Sequence, residues 1–250
     1  MADLALILPE GLSALAFWGL MASSFIASLI TAALGIGGGA LLLAVMASLV
    51  PAAALIPVHG AVQMASNAGR MGLLFKHVHW PALKGFTLGS VIGAVLGGLV
   101  AVELPPWIIQ LAVGLFVIWS VLSKPPAWLS RFPVLTGGIS SFLTMFFGAT
   151  GLFIAGYTKS QNLPRHGHVA THAALMTVQH CLKVVVFGIL GFAFGAWLWI
   201  VIALSLAGLA GTMVGRMVLG RMSEGGFRRA LDILLVLIAL RLIWSALMGS

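Results

Sequence analysis

His59, Gln63, Asn67 and Arg70 follow one another at spacings of four, four and three residues within a long apolar stretch. On a helix such residues form a single stripe. A second apolar stretch holds His172, Gln179, His180 and Lys183 in comparable places, with Thr171 beside the first of them. Polar and ionisable groups at membrane depth are expensive, so they usually face a cavity or one another. Imidazole, amide, hydroxyl, guanidinium and ammonium groups without a carboxylate suit an anion, and histidine is the residue to pass a proton if one is coupled. The competing reading is hydrogen bonding between helices. Arg70 lies only six residues before Lys76 and could snorkel to the headgroups, whereas Lys183 sits nearer mid-span. The five acids, Asp3, Glu10, Glu103, Glu224 and Asp232, fall at termini, in loops or at the start of the last helix. The expected cavity therefore contains no carboxylate.

Glycine turns precede both stripes. GIGGG supplies Gly35, Gly37, Gly38 and Gly39, and GATG supplies Gly148, Thr150 and Gly151. Such turns let the chain unwind, and the helix that follows offers free N–H groups to an anion. Glycine also serves plain helix packing, and that alternative stays open. A shift of 113 residues superposes Gly35 on Gly148, Gly38 on Gly151, Pro51 on Pro164, His59 on His172 and Ala61 on Ala174, with basic Arg70 falling on basic Lys183. These five identities among 36 positions are mostly helix punctuators and rare polar residues, as expected of an internal repeat.

The elements that must hold these residues are membrane helices. With 61% hydrophobic residues, 7% charged and a mean hydropathy of +1.14, the 250-residue chain is no ordinary soluble globule. One all-α integral domain is expected, with eight to ten transmembrane or re-entrant helices. Ala40 to Val50 and the piece between Gly151 and Asn162 are too short for a comfortable crossing and read as half-helices. The N-terminal stretch lacks a basic start and a cleavage site, and is expected to be retained. A single cysteine, Cys181, gives neither a disulfide framework nor a cysteine metal site.

Basic residues cluster in the loops 76–84, 123–131 and 216–229, whereas ELPPW (Glu103 to Trp107) and GFAFGAW (Gly191 to Trp197) carry no Lys or Arg. If the basic loops are cytoplasmic, equivalent loops of the two halves lie on opposite sides, and both termini are external. The reading is two inverted repeats, about 12–122 and 133–248, joined by the linker 123–131. The net charge of +8 is explained by this topology, and nucleic acid is not an expected partner. His166, His168 and His172 invite a metal reading, but no Cys or carboxylate stands nearby. No Ser/His elbow, HExxH or paired aspartates suggest an enzyme.

Taken in order, GIGGG after an apolar span, the weak repeat, the His/Asn/Arg helix, GSVIGAVLGG (Gly89 to Gly98), GATG, ATHAALMTVQH (Ala170 to His180) and MSEGGFRR before a final helix resemble the sulfite exporter TauE/SafE family, also called the toluene sulfonate uptake permease family. The resemblance covers nearly the whole chain. It implies a bacterial inner-membrane permease that moves sulfite, sulfoacetate or related organosulfonates. Gly35, Gly37, Gly38 and Gly39 match the family's first glycine motif, Gly148 and Gly151 match the second in part, and His59 stands where family members often have a small hydroxyl residue. The expectation is an alternating-access anion permease with neither cofactor nor resident metal, whose partners are the small anion, a coupling proton or sodium ion, and lipid. The alternative is a permease or channel for another solute, including a metal cation.

Overall fold

The computed structural model describes residues 8–9, 12–34, 37–101, 104–148, 150–218 and 224–248. Among the described residues there are ten α-helices and no strand. The first five are α1 (Ala14–Leu34), α2 (Gly38–Leu49), α3 (Ala52–Leu73), α4 (Pro81–Ala101) and α5 (Pro106–Leu122). The second five are α6 (Pro133–Phe147), α7 (Gly151–Ser160), α8 (Arg165–Ile189), α9 (Leu198–Val218) and α10 (Glu224–Met248). Five of them, α1, α4, α8, α9 and α10, are long and apolar enough to cross a membrane. The protein is an all-α polytopic membrane protein.

The two short helices occupy equivalent places. α2 has 12 residues and α7 has 10, which is about 18 and 15 Å at 1.5 Å per residue, against a hydrocarbon core of about 30 Å. A proline follows each and caps the next helix in the same extended conformation, Pro51 at φ −52°, ψ 137° and Pro164 at φ −55°, ψ 157°. α2 folds back on α1, with Gly38 against the carbonyl of Ala27 and Gly19 opposite Leu49. The two helices are therefore antiparallel.

Two helix pairs meet backbone to backbone. Along α4, a Cβ at Gly89 or Gly93 would land on the carbonyl of Val134 or Gly138 in α6, and one at Gly97 would come within 2.7 Å of the Phe142 carbonyl oxygen. The constant offset of 45 residues means that α4 and α6 run parallel. Along α9, a Cβ at Gly211 would land on the carbonyl of Phe25, and one at Gly215 would lie 2.6 Å from that of Leu29. These contacts make α9 parallel to α1. Shifting Phe25 and Leu29 by 113 gives Gly138 and Phe142, so the same pairing occurs twice. Such close approach needs small residues on one face and brings many atoms into van der Waals range.

α3 and α8 lie across the centre and run antiparallel. His59 faces His180 with ring centroids 6.1 Å apart, while Met71 and Leu74 at the other end of α3 pack with Ala170 and Ala174 near the start of α8. This arrangement places the two polar stripes face to face.

Candidate functional site

A cavity of about 150 Å³ opens where the two glycine turns meet the two stripes. Its wall includes Gly37, Gly39, His59, Gln63, Asn67 and Arg70 from the first half and Gly148, Gly151, His172 and His180 from the second. Of the residues singled out in the sequence, these ten come together. Gly35 lies outside the described residues. Gly38, Thr150, Thr171, Gln179 and Lys183 stand behind the wall.

The turns are held open by backbone that side chains rarely adopt. Gly37 has φ 103° and Gly148 has φ 74°, both in the positive region where a Cβ is strained. Each turn ends in a short helix whose first residues line the cavity, Gly39 and Ala40 from α2 and Gly151 and Leu152 from α7. The first N–H groups of a helix have no partner within it and carry partial positive charge. Two such ends share one cavity.

Each half also ties its histidine to its own turn. His59 Nε2 donates to the carbonyl of Gly39 at 3.0 Å, and His172 Nε2 stands 3.4 Å from the carbonyl of Gly151. A carbonyl only accepts, so the bonded nitrogen carries the hydrogen. His59 Nδ1 and both ring nitrogens of His180 are buried without a hydrogen-bond partner.

Arg70 is the one Arg or Lys on the wall among the described residues. It is only 6% exposed, so it does not snorkel. Its Nη1 donates to Asn67 Oδ1 at 3.2 Å, and Asn67 Nδ2 in turn donates to the backbone carbonyl of Gln63 at 2.8 Å. That chain along the helix fixes the guanidinium while leaving Nε buried without a partner. Among the described residues no carboxylate lies within ion-pairing distance of it. A guanidinium held in this way presents unused N–H donors to a planar or tetrahedral oxyanion.

The family model for the sulfite exporter TauE/SafE matches residues 20–242. The chain belongs to that family. Among curated proteins and among solved structures, none matches the chain significantly. TauE/SafE membership makes it a membrane transporter of the class that exports sulfur compounds.

In this TauE/SafE protein the residues behind the wall build its frame. Lys183 is fully buried, donates from Nζ to the carbonyl of Gly148 at 3.1 Å and runs its aliphatic stem past Gly60, where a Cβ would come within 2.6 Å of Cδ. Thr150 Oγ1 donates to Gln179 Oε1 at 3.0 Å, and Gln179 Nε2 donates to Ser140 Oγ at 3.0 Å and Ser141 Oγ at 3.2 Å. Thr171 Oγ1 accepts the backbone N–H of His79 at 2.9 Å, while the ring of His166 lies 5.3 Å from that of His77, away from the cavity. Gln179→Leu should therefore act on folding. It leaves three fully buried hydroxyls short of a partner, at about 1–3 kcal/mol for the orphaned groups. The expected result is a lower thermal midpoint in detergent with the anion KM little changed.

One expectation needs correction. Asp232, the ninth residue of α10 and so more than two turns inside the last helix, not at its start, lines the same cavity as Arg70, and the site does contain a carboxylate. Thr31 and Ser120 line it as well, although neither belongs to a stripe or a turn. The available signal for Asp232 was an acid at the head of Leu231–Met248, a segment with a mean hydropathy of 2.2. Asp3, Glu10 and Glu103 lie outside the described residues, as does the side chain of Glu224.

Proposed function

We propose that this TauE/SafE protein is a secondary transporter that carries a small sulfur-containing anion, such as sulfite or an organosulfonate, across the bacterial inner membrane by alternating access. The observation that carries this reading is Arg70, a buried guanidinium without a carboxylate partner among the described residues, on the wall of a cavity that two short helices enter by their N-termini. The cavity is of a size for one small anion with a few waters.

The halves act as inverted repeats, about 12–122 and 133–248, with the linker 123–131 between them. The antiparallel crossing of α3 with α8 supports this, as does the repeated pairing of α4 with α6 and of α9 with α1. Cytoplasmic loops at 76–84, 123–131 and 216–229 give the same helix directions. Site residues from both halves meet near the midplane, where rocking of one set of helices against the other exposes them to either side in turn.

A second reading, a permease or channel for a cation, takes its support from Asp232. Against it, the carbonyls of Gly39, Gly148 and Gly151 already face His59, Lys183 and His172, which leaves a cation few free oxygens. Flux of radiolabelled sulfite and of a simple sulfonate into proteoliposomes separates the two. Saturable flux with mutual competition between the two anions is expected. Vesicles that hold folded protein yet pass neither anion, or pass a metal cation indifferent to sulfonate, would sink the anion reading.

A further inference from the structure

We propose that Asp232 is the proton carrier of the transport cycle, sharing Arg70 with the substrate anion so that anion and proton cross together. The inference rests on the anion reading of the cavity. Asp232 is the one carboxylate on that wall among the described residues, and no cation lies within ion-pairing distance of it among them. Its neighbour Leu231 packs at the glycine turn, where a Cβ on Gly37 would sit 3.3 Å from Leu231 Cδ2. The third turn of α10 thus packs beside the cavity where the anion is held.

The electrostatics follow from the charges present. The helices packed against α10 are α5 and α2, and neither carries a titratable side chain among its described residues. The groups that share the cavity with Asp232 are Arg70, His59, His172 and His180. On its own helix stand Arg229 and Arg241, with Glu224 and Arg228 earlier in the sequence. In the empty cavity the carboxylate and the guanidinium are opposite charges on one wall, beyond ion-pairing distance of each other. An anion bound at Arg70 then places two negative charges in one small cavity. A proton on Asp232 removes that repulsion, so anion and proton each favour the binding of the other, and this coupling is reciprocal. The O–H bond forms with a proton taken from water on the side where the anion enters and breaks to water on the side where it leaves. No other bond changes.

The imidazoles are less suited to the task. His59 and His172 hold the carbonyls of the glycine turns. His180 is buried without a partner and is the rival that the experiment must separate.

The test uses the full chain in proteoliposomes at clamped membrane potential, with methanesulfonate as the probe because it stays ionised around neutral pH. With an inward gradient of one pH unit and one proton per anion, the wild type should accumulate the probe about tenfold. Asp232→Asn should hold it at its level without a gradient while probe exchange across the vesicle membrane remains measurable. Asp232→Glu should regain accumulation, which guards against a folding defect in the asparagine variant. Tenfold accumulation by Asp232→Asn, or its loss in His180→Gln alone, would overturn the proposal. An Asp232→Glu protein that is folded and exchanges the probe but cannot accumulate it would also overturn it. Absence of sulfite and methanesulfonate flux in the wild type would fail the anion reading instead, and the proposal with it.

Discussion

Replacing Arg70 by alanine is expected to weaken anion binding roughly 30- to 5,000-fold while the protein still inserts and folds. The size follows from removing one member of a desolvated charge pair, which costs about 2–5 kcal/mol. The loss should appear in KM and in competition by unlabelled sulfite. Folding should survive because Arg70 bonds only to Asn67, one turn earlier on its own helix, and joins no two helices. Arg70→Lys keeps the charge without the planar fork, and an intermediate affinity is expected. Lys183→Met is the comparison. That variant keeps the stem beside Gly60 and loses the bond to Gly148, so KM should change far less than in Arg70→Ala. Equal KM in wild type and Arg70→Ala would remove Arg70 from the site.

The largest effect on stability is expected at the backbone contacts. Gly93→Val and Gly211→Val each place a branched side chain on a carbonyl of the neighbouring helix, Gly138 for the first and Phe25 for the second. Nothing flexible stands there to give way, so the helices must separate along their length. Overpacking of a well-packed interface costs typically about 1–3 kcal/mol, and a backbone obstacle belongs at the upper end of that range or above it. Both variants should give little folded protein and a markedly lower thermal midpoint in detergent. Similar losses at the two sites would reflect their equivalence between the halves. Gly156→Ala provides the control, since nothing lies within 4 Å of a Cβ there and alanine is the better helix former. Stability in Gly93→Val equal to that of Gly156→Ala would refute the packing argument.

How much of this was legible in the sequence depended on whether the cause was local. Pro51, Pro164 and the glycine turns announce where short helices begin and end, because backbone geometry is fixed by the residues themselves. Alternating basic and uncharged loops gave helix directions that the contacts of α4 with α6 and of α3 with α8 agree with. The wall of the cavity was harder to read, since it is set by contacts between distant segments. Arg70 and Lys183 occupy equivalent positions in the repeat, yet one lines the cavity and the other lies behind it, held by Gly148 and accommodated by Gly60. Thr171 sits beside His172 in sequence but caps the approach of the loop at His79. Asp232 reads as the start of a helix because the apolar run begins there, whereas the helix starts at Glu224 and its third turn lines the cavity. No periodicity carries that information.

The pairing of α1 with α9 also governs how the protein is made. Ser24 Oγ donates to the carbonyl of Leu204 at 2.7 Å, a partner 180 residues later in the chain. At a translation rate of about 5–20 residues per second, α1 waits roughly 10–40 s in the bilayer before the helix that covers its small-residue face is synthesised. α4 meets α6 after only 45 residues, so of the two parallel pairs that one can form earlier. The first helix of the chain packs early against α2 but waits longest for its parallel partner.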